Sequence, residues 1–313
     1  MATRSQVLSD IALLRQSLRR AGSPHVPLLK LHAWRPARDV AVDVAAIVAA
    51  LLLALQGPWA SPIALLVLGN RQRALGNILH DAAHRNLTRH RLLNDVVTRA
   101  LIAPLLFLSL SHYRELHFRH HLDLGAQDHD PDLIPIPVLK ARSWVVAVAM
   151  NALSVRAVFG SAFGHLPDRA VPLGARLYIV AWWAVLMATL TWAMGRGSAA
   201  AMFVLWLTAR ATVFHFITTF REMCDHHGLS PGGVFTFTRD IRGVGLWTVM
   251  FHPRNNAYHL THHLLPAIPY YRLPEAQRVF AALPEYQERA RVCQSYFAGT
   301  SPVVTAWQRS PSR

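Results

Sequence analysis

Residues 175–194, ARLYIVAWWAVLMATLTWAM, and 200–220, AAMFVLWLTARATVFHFITTF, are separated by only the five residues 195–199. A helix crosses a hydrocarbon layer of about 30 Å with about 20 mostly apolar residues. The two runs therefore read as a helical hairpin in a membrane, although Arg210 sits inside the second. Toward the N-terminus, 40–55 is apolar but short. Pro58 and Pro62 break it from 63–68, which continues through GNRQRALGNILHDAAH. These form a second expected hairpin. Segments 96–111 and 143–164 are apolar but interrupted, by Arg99 and Pro104 in one and by Asn151 and Arg156 in the other. They read as interfacial helices near 97–111 and 143–160. The expected fold is an all-α integral membrane protein with four transmembrane helices, both hairpins returning the chain to one side.

Composition agrees. Of 313 residues, 52% are hydrophobic and 16% charged, against about 25% charged in an ordinary soluble domain. Lys and Arg number 32 against 17 Asp and Glu, a formal charge of +15. The arginines flank apolar runs instead of forming a basic aromatic surface, which argues against nucleic acid and for topological anchoring. Arg15, Arg19, Arg20, Arg35, Arg38, Arg89 and Arg91 place the face they share in the cytoplasm, with a bacterial inner membrane as the expected location. Two cysteines, neither in a CxxC, support no disulfide framework and no thiolate cluster. The chain reads as one domain. Residues 1–38 form a cytosolic N-terminal segment in which Ile11, Leu14 and Leu18 recur at helical spacing, and 298–313 form a loose C-terminal tail.

The chemistry lies in the histidines, 18 in all. His80 and His84 stand at i and i+4, one turn apart on one helix face. His117, His120 and His121 supply i, i+3 and i+4, and His259, His262 and His263 repeat that spacing. Eight imidazoles in three clusters exceed what one tetrahedral zinc uses, and HExxH is absent. Such a set of neutral nitrogens suits two iron ions with open positions for dioxygen. A metal-bound imidazole needs its second nitrogen fixed. Asp81, Glu115, Asp130, Asp132 and Asp225 are candidates for that task, with helix capping or solvation as their alternative.

In the order HxxxH, HxxHH, HxxHH the sequence resembles the membrane fatty acid desaturase and hydroxylase superfamily. The resemblance runs from about residue 69 to 274. It includes HDAAH at 80–84, YRELHFRHH at 113–121 with Asp130-Pro-Asp132 after it, and NAYHLTHHLLP at 256–266. It implies four membrane helices beneath a cytosolic, histidine-rich cap, and oxygen-dependent attack on an unactivated C–H bond. Within REMCDHHG at 221–228 it assigns His226 as a ninth ligand and His227 as a neighbour. Glu222, where a metal-bound water can be held, and Asn256 and Tyr258, beside the last box, complete the candidates. The implied cofactors are two non-haem Fe ions, with O2 as co-substrate. The implied partners are a lipid-like substrate in the membrane and a separate electron donor, a ferredoxin, rubredoxin or cytochrome with its reductase. Desaturation of a long acyl or lipid chain is the favoured activity. Hydroxylation or ketolation of a lipid, carotenoid or alkane is an alternative, and a non-redox membrane metal-binding protein is another.

Overall fold

The computed structural model describes residues 2–22, 26–133, 143–243 and 245–307. In chain order the helices are α1 (Ala2–Arg20), α2 (Trp34–Ala54), α3 (Ser61–Ala83), α4 (Arg91–Val97), α5 (Leu110–Leu122), α6 (Trp144–Ala152), α7 (Val155–Phe163) and α8 (Leu173–Met194). They continue with α9 (Arg196–Ala209), α10 (His215–His226), α11 (Val234–Phe237), α12 (Leu246–Phe251), α13 (His259–Leu264), α14 (Leu273–Ala281), α15 (Pro284–Arg289) and α16 (Val303–Ala306). A π-helical turn, Arg210–Phe214, joins α9 to α10. Strands β1 (Asp240–Ile241) and β2 (Val292–Cys293) pair in parallel. The remaining regular structure of the described residues is helical, α with short 3-10 and π turns.

The expectation of four spans is not met. Among the described residues two helices are long and apolar enough to cross a membrane, Leu173–Met194 and the 31-residue run Arg196–His226. A third exists only if α6 and α7, bent by 59° where they meet, count as one span. The physical reason lies in the charges of α2 and α3. Asp43 of α2 is fully buried, with Arg71 Nη1 of α3 at 2.8 Å and Arg254 Nη2 at 2.6 Å. Asp39, one turn earlier, accepts a 2.5 Å hydrogen bond from Tyr270 and lies 3.3 Å from Arg254. These turns belong to a polar junction with the C-terminal half, and the apolar stretch left on each helix is too short to span. The expected interfacial helix at 97–111 is also broken, into a π-turn at Thr98–Ile102, a 3-10 turn at Pro104–Leu106 and the start of α5. Pro104 has no N–H for the carbonyl of Ala100. The indole of Trp182 donates to that carbonyl instead, at 2.7 Å, and Trp183 donates to the Pro104 carbonyl at 2.9 Å.

At about 1.5 Å per residue, 31 residues extend for about 46 Å, well beyond a hydrocarbon layer of about 30 Å. The last turns of α10 therefore stand clear of it. Helix α3 lies against this long helix at Gly69, where a Cβ would fall 2.5 Å from Val213 Cβ and 2.8 Å from the Phe214 backbone nitrogen. Both helices thus carry their C-terminal ends to one place. Around that place the cap packs as a core of its own: Val7, Leu14 and Leu18 of α1 meet Leu260 and Leu264 of α13 and Leu273 and Phe280 of α14. Within the 298–313 segment expected to be loose, Val303, Val304 and Trp307 are buried against Phe220 and Met223. Residues 308–313, and His25 near the N-terminus, lie outside the described residues.

Candidate metal centre

Four helices end at the centre. His80 and His84 close α3, His120 and His121 lie in the last turn of α5, His226 is the last residue of α10, and His262 and His263 lie in the last turn of α13. Helix C-termini carry partial negative charge from unpaired carbonyls. The convergence therefore favours cations before any side chain is counted.

The nine histidines sort into two groups. His80, His84, His117, His121 and His262 form the first, and His120, His226, His259 and His263 the second; within each group one ring nitrogen per residue lies within 4.8 Å of the others. The sorting follows from helix geometry. On α5 the i and i+4 members, His117 and His121, face the first group, and the i+3 member His120 faces the second. On α13 the roles reverse: His259 and His263 join the second group and His262 the first. Two HxxHH boxes set against one another thus serve two metal positions from both helices. Nε2–Nε2 separations are 2.8 Å for His84–His117, 3.0 Å for His117–His121, 3.1 Å for His121–His262 and 3.0 Å for His226–His259. Ligands at about 2.1 Å from a shared ion stand about 3 Å apart at right angles, so the spacing fits coordination.

Protonation fits as well. Burial and the neighbouring imidazoles push His80, His117, His121, His259, His262 and His263 well below 6.5, and burial pushes His84 to about 3. Neutral rings keep their lone pairs. His80 Nε2 and both nitrogens of His263 are buried with no hydrogen-bond partner among the described residues, an unpaired state that a bound cation relieves. In the second group the outer nitrogens of His120 and His226 are held. His120 Nδ1 donates to Asp130 Oδ1 at 2.7 Å, and Asp130 is itself fixed by the backbone N–H groups of Gly125 and Asp132. His226 Nδ1 donates to the Phe237 carbonyl at 2.8 Å. Each of these bonds assigns the proton to Nδ1 and leaves Nε2 free to bind metal.

Among the other sequence candidates, Asp225 is buried and binds Arg221 at 2.8 Å and His252 at 3.2 Å, with His259 Nδ1 3.6 Å away. Asn256 accepts from Arg221 at 3.3 Å. Asp132 and Glu222 line the cavity beside the histidines. Asp81 instead accepts from Asn86 and makes no hydrogen bond or ion pair with a histidine of either group among the described residues. Glu115 pairs with Arg119 at the surface, His227 packs edge-on against Trp307, and Tyr258 lines a separate surface cleft with Arg242 and Pro274. His252 reads from sequence as a surface or interfacial residue, yet it is buried, bridging Asp225 and the Tyr296 hydroxyl at 2.8 Å. A lone histidine in FHPRNN carries no spacing signal, and Tyr296 carries none either.

A sequence model of the fatty acid desaturase family matches residues 56–294. The chain belongs to the fatty acid desaturase family. Over 275 residues it is also 28% identical to the dihydrorhizobitoxine desaturase of Bradyrhizobium elkanii, covering 81% of this chain and 76% of that one. The resemblance carried by the three boxes is borne out, and the two histidine clusters of this desaturase-family protein are positioned to bind metal ions, consistent with a diiron site. A cavity of about 420 Å³ reaches both clusters, touching His80 and His117 of one and His120, His226 and His259 of the other. It runs along the long helix as far as Arg210 and His215. His215 Nε2 donates to the Ala152 carbonyl at 3.1 Å and its Nδ1 accepts from Ser161 at 2.7 Å, so this histidine both locks α10 to α6 and α7 and forms cavity wall.

Proposed function

We propose that the nine histidines hold two iron ions and that the protein desaturates an aliphatic chain at the cytoplasmic side of a bacterial inner membrane. The observation that carries this reading is the pair of imidazole groups, shared between α5 and α13, opening on one cavity. The reaction balances as one saturated CH2–CH2 unit, O2, two electrons and two protons giving an alkene and two waters. Bound iron with dioxygen supplies the oxidising power for an unactivated C–H bond. The electrons come from a separate ferredoxin, rubredoxin or cytochrome with its reductase. The protein's own part is positioning. Asp130 and the Phe237 carbonyl fix the rings of His120 and His226, and Asp225, steadied by Arg221 and by Tyr296 through His252, stands behind His259. Desaturation is favoured because the relative aligned over most of the chain is named a desaturase.

The test is product mass. Protein loaded with iron in lipid, with a ferredoxin reductase system and mixed aliphatic substrates, is expected to consume oxygen and release a product lighter by H2, with His120→Ala inactive. A product heavier by one oxygen atom moves the reading to hydroxylation, and oxygen-independent, unchanged substrate overturns it.

A further inference from the structure

The cavity beside the histidines is not an apolar slot: Arg73, Asn151, Arg210, Thr218, Arg221 and Glu222 all line it. A guanidinium stays charged, and burying one costs several kcal/mol unless a counter-charge or dipole answers it. Two of the three arginines meet a carboxylate or paired carbonyls in direct contact, although Arg210 Nη1 and Arg221 Nε have no hydrogen-bond partner among the described residues. Arg221 has Asp225 at 2.8 Å and Glu222 at 3.5 Å. Arg210 donates to the carbonyls of Ser161 at 2.7 Å and Ala162 at 3.1 Å and lies over the rings of Phe107 and Phe214. Those carbonyls end α7, where the helix dipole is negative.

Arg73 has no counter-charge in contact: Glu222 and Asp225 act on its charge only from beyond ion-pair distance. It is 7% exposed, it gives Nε (3.1 Å) and Nη2 to the neutral amide oxygen of Asn77, and it makes no ion pair among the described residues. Its guanidinium lies along α3 over Gly76, where a Cβ would stand 3.8 Å from Cζ. That places the charge about one helical turn, roughly 5 Å, before His80. The carboxylates lining the same cavity, Asp132 and Glu222, have side chains 49% and 32% exposed and are answered partly by water.

We propose that Arg73 is the seat of a free carboxylate carried by the substrate. The planar fork of a guanidinium matches a carboxylate in a way that an ester or a hydrocarbon terminus cannot reproduce. The proposal deepens the desaturase reading and rests on it: the substrate class is an aliphatic acid, and the oxidised carbons lie close to the acid group.

Binding separates the two claims. Thermal stabilisation of the iron-loaded protein in detergent is titrated with straight-chain acids from hexanoate to dodecanoate and with their methyl esters. Acids are expected to bind about 10-fold or more tightly than esters, the scale of one charge-assisted hydrogen bond. Arg73→Gln is expected to abolish that preference with ester binding unchanged, while Arg73→Lys keeps part of it and Arg210→Gln leaves it in place. Equal binding of acid and ester by the unaltered protein overturns the proposal without any variant, as does a preference that survives Arg73→Gln or is lost in Arg210→Gln instead. Acids that bind selectively but return unoxidised would count against desaturation and leave the carboxylate seat standing. Esters desaturated as readily as acids would do the reverse.

Discussion

Asp130 shows how little is needed to define a ligand. Its carboxylate is buried, takes two backbone N–H groups, and spends its remaining capacity on His120 Nδ1. Asp130→Asn keeps the shape and loses the charge that orients the ring. The expected result is a metal affinity lower by about 10–100-fold with the fold intact, checked by competition against a graded series of chelators. At this scale the sequence was generous. The i, i+3 and i+4 spacings of the boxes are local facts, so the residues that gather at the centre could be read from them. Their partition into groups of five and four could not, because it depends on the apposition of α5 and α13, helices about 140 residues apart in sequence. Phe237 was invisible for a related reason: the backbone carbonyl that holds His226 has no identity in a sequence.

At the scale of elements, the contact of α3 with the π-turn decides whether His80 and His84 meet the histidines of α5. Gly69 leaves no room for a Cβ in that contact, and the obstructing atoms include backbone, which cannot rotate away. Gly69→Ala is expected to push the helices apart, costing about 1–3 kcal/mol as overpacking does. The check is a lowered unfolding temperature in detergent accompanied by weaker iron retention, with Gly174→Ala, where none of the described residues comes within 4 Å of a new Cβ, as the silent control. The helices themselves were legible where apolar runs are long, as in α8 and α9. They were misread at 97–111, where the freed Ala100 carbonyl is rescued by an indole 82 residues away.

For the whole molecule, the junction between α2, α3 and the C-terminal half joins the helical base to the cap. Asp43 sits at its centre with Arg71 and Arg254. Arg254→Met leaves a buried carboxylate with one partner fewer and is expected to cost about 3 kcal/mol, measured as a shift in the denaturant midpoint, with Asp43→Asn in the same background recovering part of the loss. The same junction explains why four spans were expected and two or three are found. In sequence, 40–55 looks like a short span with a stray Asp43; only the fold shows that Asp43 answers an arginine 211 residues further on.

The π-turn sets a phase. One residue more than an α-helix needs is inserted between Ala209 and His215, and each residue advances a helix by about 100°. The stripe of α9 that faces lipid and the stripe of α10 that faces the histidine clusters are therefore not bound to a common clock. A single helix can keep its membrane-facing pattern while His226, Arg221 and Asp225 are turned, as a block, toward the centre.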